Sequence, residues 1–310
     1  MNATSVLQVG PLMPALETQL NDEFAARVVT PGAPIEGAEE IRIAVTSGRN
    51  GVKAELLEQL PNLELVANFG VGYDGNDTAA LKARGVALTN TPDVLNACVA
   101  DTALGLLLNA FRRFPDSERF TRAGEWAAGA NYPLTRRFSG STIGILGMGR
   151  IGADVAQRVE AFGCKVLYHN RREVPGTTAE YVGSLEELAR RSDALVITVV
   201  GGPSTKHLVD AGVLAALGPD GILVNVARGT VVDEAALIAA LQDGTVGGAG
   251  LDVFEEEPQV PAELLNLPNV VALPHVGSGT VETRNDMKNL VLENVRAQLA
   301  GEPLVTPVEL

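Results

Sequence analysis

Apolar positions along the chain follow two periods. Short, nearly continuous apolar runs at 6–9, 41–46, 63–68 and 86–90 read as strands. Between them, 16–26, 53–60 and 78–84 carry apolar residues at helical spacing. After Thr91-Pro92-Asp93 the pattern turns to a long helix reaching about residue 113, for which Asp93 offers a cap, and then to a further helix over 115–123. Strands resume at 143–146, 165–169, 194–200, 221–226, 247–252 and 270–273, with helices at 185–190 and 234–241. The run at 194–200 is apolar nearly throughout, as expected of a strand buried on both faces. The last helix, 281–299, has no strand to follow, which predicts its return to the first part of the chain. Alternating strands and helices predict α/β architecture with parallel sheets. Two domains are expected: 1–97 together with 283–310, and 98–282. The 310-residue length allows each its own core.

One junction in the second domain is more specific than the pattern around it. Strand 143–146 runs into Gly147-Met148-Gly149-Arg150-Ile151-Gly152, and apolar residues then recur at Ile151, Val155, Val159 and Phe162 before the next strand. Gly147 can take the angles of a tight turn. Gly149 keeps side-chain atoms away from a pyrophosphate, and Gly152 lets the helix approach the strand. The helix start then offers unpaired N–H groups and a partial positive charge to phosphates. A strand before and a helix after make this a dinucleotide site, with Met148, Arg150 and Ile151 in the same turn. The second strand ends in Asn170-Arg171-Arg172, where an NAD site carries Asp or Glu. A carboxylate there would repel a 2′-phosphate, and two guanidinium groups would bind one. NADP, with NADPH preferred over NADH, is the expected cofactor.

Composition narrows the partners. Hydrophobic residues make up 46% and charged residues 20%, as in a soluble globular protein. A net charge of -14 argues against nucleic acid or an anionic membrane. Cys98 and Cys164 lack metal or CxxC spacing, which fits a reducing compartment. No secretory leader is read at the N-terminus, and the longest apolar stretch, 103–110, is too short to span a bilayer. A cytoplasmic protein acting on a small molecule, without a metal, is expected.

Three polar residues follow predicted strand ends: Arg228 in Asn225-Val226-Ala227-Arg228-Gly229, Glu257 just before Pro258, and His275 in Pro274-His275-Val276-Gly277-Ser278. In a parallel sheet such ends gather at one edge. Reducing a 2-keto acid needs a cation for its carboxylate and carbonyl, a general acid, and a group favouring that acid's charged form. Arg228, His275 and Glu257 suit these jobs in that order. The glycine loop Phe69-Gly70-Val71-Gly72 also follows a strand and is placed to donate backbone N–H groups, although such a loop is as often an ordinary turn.

The segments GVGYD, TPDVLNACVAD, PLTRRFSGSTIGILGMGRIG, VNVARGTVVDE, AGLDVFEEEP and LPHVGS together resemble the D-isomer-specific 2-hydroxyacid dehydrogenases over nearly the whole chain. With HNRR, the chain looks most like the NADPH-preferring glyoxylate/hydroxypyruvate reductases among them. The resemblance implies two Rossmann-like or flavodoxin-like domains with the active site in the interdomain cleft, and usually a homodimer. It implies Arg228 on the substrate, His275 as acid/base and Glu257 as its partner. Val71 and Gly72 would bind the substrate carboxylate, with Ser278 and Trp126 lining the pocket, Trp126 from a neighbouring subunit. Thr102, Val199, Thr205, Val226, Ala227, Asp252 and Gly277 would complete the cofactor site. The chain departs from the family pattern at Val199-Val200, where a Pro is common. Formate-oxidising relatives carry Gln in place of Glu257, so that activity is not expected. A dehydrogenase for another D-2-hydroxy acid, and a dinucleotide-sensing protein resembling the corepressors of this fold, are the alternatives.

Overall fold

The structure is a computed structural model and describes residues 5–29 and 34–310. Residues 1–4 and 30–33 of the predicted first domain lie outside the described residues. The chain folds into two compact units, Met1–Leu95 with Thr280–Leu310, and Asn96–Gly279.

The first unit contains β1 (Val6–Gln8), α1 (Pro14–Phe24), β2 (Arg27–Val28), β3 (Ile43–Ser47), α2 (Ala54–Gln59), β4 (Leu65–Phe69), α3 (Thr78–Ala83) and β5 (Ala87–Thr89). Its strands are all parallel, in the order β2-β1-β3-β4-β5, the flavodoxin-like arrangement. Pro14 opens α1, where its missing N–H costs nothing, and Ala25 ends it in a left-handed turn. Leu7, Ile41, Ala44, Leu57, Leu60, Val66, Leu81 and Leu88 close one face of the sheet. The C-terminal helix Val281–Ala300 packs on β4 and α1 of this unit, and Arg296 grips Glu23 through two hydrogen bonds of 2.6 Å.

The second unit contains α4 (Asn96–Arg112), α5 (Phe114–Arg122), β6 (Thr142–Leu146), α6 (Arg150–Glu160), β7 (Lys165–His169), β8 (Glu180–Tyr181), α7 (Leu185–Arg190), β9 (Ala194–Ile197), α8 (Ala211–Leu217), β10 (Ile222–Asn225), α9 (Glu234–Asp243), β11 (Gly248–Leu251), α10 (Ala262–Leu265) and β12 (Val270–Ala272); the C-terminal helix of the first unit is α11. Its sheet is parallel in the order β12-β11-β10-β9-β6-β7-β8. The order reverses between β6 and β9, which makes their carboxyl ends the place where a ligand fits such a sheet. Asp210 and Asp233 each accept an N–H bond of 3.0 Å in the first turns of α8 and α9, and Ser184 and Thr280 cap α7 and α11 likewise. The small residues of β11 have a packing cause: a Cβ at Gly250 would stand 3.0 Å from the Leu106 Cβ of α4.

The structure differs from the predicted elements in several places. The strand expected over 194–200 stops at Ile197, because Thr198 turns its hydroxyl onto the Gly147 carbonyl at 2.7 Å and Val200 leaves the sheet, 71% exposed. Strands β2 and β8 are two residues each and lie at sheet edges, too short for a period to register. Helix α10, with four residues, escaped the pattern for the same reason, and α8 was passed over although its seven residues exceed the six of α2, α3 and α7. In the row Ile151, Val155, Val159, Phe162, only Val155 and Val159 are buried. Phe162 lies past the end of α6 and sets its ring edge against Phe138 at 5.3 Å. Asp93 has a left-handed φ of 69°, and α4 starts at Asn96.

Candidate active site

The glycine turn joins β6 to α6. Gly147 has φ 104°, and a Cβ there would stand 2.8 Å from the Val199 side chain and backbone. A Cβ at Gly152 would overlap the Gly147 carbonyl, so only glycine lets α6 start this close to the turn. At Gly149 a Cβ would meet no atom within 4 Å, which leaves open space beside the backbone at the start of α6. No side chain caps that helix, so its first N–H groups lack a side-chain acceptor. Arg150 is exposed, and Ile151 is half-buried. Asn170, after β7, accepts the Met148 N–H on Oδ1 at 2.7 Å and receives the Tyr181 hydroxyl on its carbonyl at 3.2 Å. Arg171 and Arg172 are exposed, and among the described residues neither guanidinium has an ion pair or hydrogen bond. An open backbone approach, a helix start without a side-chain cap and two exposed guanidinium groups fit a dinucleotide with an added phosphate.

The next strands deliver the polar residues to the same carboxyl edge. After β10, Val226 and Ala227 are buried, and Arg228 is half-buried with Nη1 donating to the Ala227 carbonyl at 2.8 Å. Asn225, 1% exposed, shapes this turn: its Oδ1 accepts the Ala227 N–H at 3.0 Å and its Nδ2 donates to the Arg228 carbonyl at 2.9 Å. After β11 comes Asp252, whose two oxygens accept the N–H groups of Val276 and Gly277 at 2.7 and 2.8 Å. Burial pushes the Asp252 carboxyl above the usual range, while those two donors and the nearby His275 oppose the rise. A Cβ at Gly277 would stand 2.8 Å from Asp252 Oδ2, so the pairing needs glycine there. Thr102 donates to the Cys98 carbonyl at 3.1 Å and lies 3.4 Å from the Gly277 carbonyl.

His275 has φ 53° and places Nδ1 2.7 Å from Glu257 Oε2. The other Glu257 oxygen accepts the Phe254 N–H at 3.1 Å. A carboxylate facing Nδ1 requires a proton there, which leaves Nε2 as the atom able to give or take a proton. Glu257 is the more buried partner, with 14% of its side chain exposed against 37% for His275. Ser278 is half-buried just beyond. Thr205 spends its hydroxyl on its own loop, against the Val200 carbonyl at 2.8 Å. Trp126 is 69% exposed. A cavity of about 440 Å³ opens at the opposite, amino-terminal edge of β10, β11 and β12, and none of these residues lines it.

In the first unit, Val71 and Gly72 follow β4. All three carbonyls of the loop 70–72 are tied back by side-chain amides. Asn68 Nδ2 donates to Gly70 and Gly72, each at 3.0 Å, and Asn90 Nδ2 donates to Val71 at 2.9 Å. Asn68 is fully buried and is held in turn by Asn76 at 3.2 Å. None of these bonds uses the N–H groups of Val71 and Gly72. Sequence reasoning passed over Asn68, Asn76, Asn90, Thr198 and Asn225. Their signal, a polar residue ending or following a buried strand, is faint until the partner is seen.

The model of the D-isomer specific 2-hydroxyacid dehydrogenase NAD-binding domain matches residues 104–277. The chain belongs to the D-isomer-specific 2-hydroxyacid dehydrogenase family. It is 47% identical to a hydroxyphenylpyruvate reductase of Plectranthus scutellarioides, over 99% of this chain and all of that one. It is 45% identical to glyoxylate/hydroxypyruvate reductase A of Arabidopsis thaliana with the same coverage. Among solved structures, an NADPH-dependent glyoxylate/hydroxypyruvate reductase of Sinorhizobium meliloti, in complex with NADP and malonate, superposes with a TM-score of 0.94 at 44% identity, covering 99% of this chain and 97% of that one. The protein is thus an oxidoreductase of the 2-hydroxyacid dehydrogenase type, like the glyoxylate/hydroxypyruvate reductases and built for a nicotinamide dinucleotide. Among the described residues no helix is long and apolar enough to cross a membrane.

Proposed function

We propose that the protein reduces small 2-keto acids, glyoxylate to glycolate and hydroxypyruvate to D-glycerate, with NADPH preferred over NADH. The observation that carries this reading is the His275–Glu257 pair at 2.7 Å, on loops at the sheet edge that also bears the glycine turn. Gly147, Gly149, Gly152 and the start of α6 would hold the pyrophosphate. Asn170, Arg171 and Arg172 would receive the 2′-phosphate. Thr102, Val199, Val226, Ala227, Asp252 and Gly277 would surround the nicotinamide half, while Thr205 supports its loop. The dinucleotide supplies the hydride. Arg228 binds the substrate carboxylate and polarises its carbonyl. The N–H groups of Val71 and Gly72 also receive the carboxylate. His275 gives the proton on Nε2 to the carbonyl oxygen, and Glu257 holds the ring in place through Nδ1. In the oxidative direction Nε2 takes the proton back.

A second copy of the chain belongs to the same proposal. Trp126 and the fully exposed Leu134 follow α5, a helix without a buried residue, and a partner subunit would cover them. The 47%-identical hydroxyphenylpyruvate reductase brings in a second reading, a larger 2-keto acid.

Steady-state kcat/KM for glyoxylate, hydroxypyruvate and hydroxyphenylpyruvate with each cofactor tests these readings, alongside light scattering for stoichiometry. Equal or better efficiency with NADH would refute the cofactor preference. A failure of every keto acid to oxidise NADPH, with NADPH still bound, would turn the assignment to a sensor. His275→Ala is expected to lower kcat by about 10²-fold or more while NADPH binding stays nearly intact. Normal turnover in that variant would remove the general-acid role.

A further inference from the structure

A second histidine–glutamate pair stands beside the first, and the mechanism above does not use it. His207 Nε2 lies 2.8 Å from Glu255 Oε1, with 37% and 26% of the side chains exposed. The backbone of His207 is bound as well. Its N–H donates to the Thr230 carbonyl at 2.8 Å, two residues beyond Arg228. The following residues continue the attachment: Val209 N–H reaches the Val231 carbonyl, and Asp233 N–H reaches the Val209 carbonyl, each at 3.0 Å. His207 therefore grips the Arg228 loop with its backbone and, with its ring, the loop that carries Glu257 two residues after Glu255.

Those two loops already touch. A Cβ at Gly229 would overlap the Phe254 backbone, and Phe254 donates its N–H to Glu257. Glu255 closes the circuit by donating its N–H to Glu234 Oε2 at 3.2 Å, at the start of α9, which follows the Arg228 loop. His207 also holds a φ of 51°, a left-handed conformation that non-glycine residues rarely adopt. The surrounding bonds keep it there.

We infer that His207, through its bridge to Glu255, is a positioning residue that sets the Arg228 loop in register with the Glu257–His275 loop. The inference rests on the reductase reading for its kinetic consequence, and on geometry alone for its structural one. It goes beyond the roles of Arg228, Glu257 and His275.

The test uses the full chain with NADPH and whichever keto acid the wild type reduces best. His207→Ala is expected to lower kcat about tenfold and to raise the keto-acid KM, because the anchoring cation and the acid lose their mutual register. NADPH affinity, read by fluorescence titration, should stay within about twofold. His207→Gln, which keeps a donor near the Nε2 position, should recover most of the loss. Glu255→Ala should match His207→Ala, and the double variant should be no worse than either single one. A bridge that is only a surface ion pair would lower the melting temperature and leave kcat and KM alone, which overturns the inference. Equal impairment of the Ala and Gln variants also overturns it.

Should the wild type reduce no keto acid, the reductase reading falls and the inference is read by amide hydrogen exchange instead. Faster exchange over 228–231 and 254–257 in His207→Ala, restored in His207→Gln, upholds the bridge. Unchanged exchange removes it.

Discussion

Asn68 shows how a residue without chemistry of its own can prepare a site. Its amide nitrogen faces two carbonyls of the loop 70–72, and its oxygen receives Asn76. Asn68→Ala would leave the Gly72 carbonyl without its donor, at a cost of about 1–3 kcal/mol, while the Asn76 amide keeps its bond to the Tyr73 carbonyl at 3.1 Å. The Gly72 carbonyl would then be able to turn toward the incoming anion. The expected outcome is a keto-acid KM raised about tenfold, with NADPH affinity unchanged, because the glycine turn belongs to the other unit. Initial rates and a cofactor titration check both halves, and an unchanged KM would show that the loop holds its shape without the amide. Asn68→Asp keeps the acceptor for Asn76, loses the donor and adds a negative charge behind the loop, so its KM should rise further.

At the scale of elements, the β6–α6 junction depends on a helix placed against a strand end without an intervening side chain. A methyl group at Gly152 would overlap the Gly147 carbonyl, and Thr198 would lie 3.2 Å from it. Gly152→Ala must push α6 away from the turn, and the first N–H groups of the helix move with it. NADPH affinity is expected to fall at least tenfold, since helix-start donors act only at close range. The His275–Glu257 contact, which sits on other loops, should survive, so saturating NADPH should restore much of the turnover. Fluorescence titration and rates at high cofactor distinguish this outcome from general unfolding. Unaltered affinity would mean that the turn absorbs the methyl group. Position 149 behaves differently, because a Cβ there meets no protein atom and any loss on substitution reports the ligand.

For the molecule as a whole, acidity and a returning helix matter most. The chain carries 38 acidic and 24 basic residues, so each well-placed arginine counts. Arg296 on α11 binds Glu23 on α1 and tethers the last helix to the first unit. The Arg296 hydrogen bond holds the Glu23 carboxyl below its usual range, against a smaller opposing effect of burial. A lowered carboxylate pKa stabilises the fold above the unfolded value, and that stability is lost as pH falls through the folded value. Glu23→Gln is therefore expected to lower the melting temperature near neutral pH by only a degree or two, since a largely exposed pair contributes about 0.5 kcal/mol. The difference should vanish in acid, where both forms are uncharged. Melting curves at pH 7 and below pH 4 check the sign, and a difference that persists in acid would assign the effect to packing.

Much of this organisation was legible in the amino-acid order, because it rests on local rules. Apolar period separated strands from helices, glycine spacing announced the turn at 147–152, and Arg171-Arg172 marked the end of β7. What remained hidden depends on partners distant in sequence. The end of β9 is decided by a carbonyl 51 residues away, where Thr198 meets Gly147. The two-residue strands exist only because a neighbouring strand offers its free edge. The run Glu255-Glu256-Glu257 makes the same point within three positions. By charge the three glutamates are equivalent; the resemblance singled out Glu257, before Pro258, as the partner of His275, and nothing in the order of residues pointed Glu255 at His207. Folding gives Glu255 to His207 and Glu257 to His275, and leaves Glu256 exposed. The order of residues determined that carboxylates would stand beside this strand end. Only the packing of three loops brought these pairs within hydrogen-bond distance and gave Glu255 to His207, because a hydrogen bond depends on distance in space and not on distance along the chain.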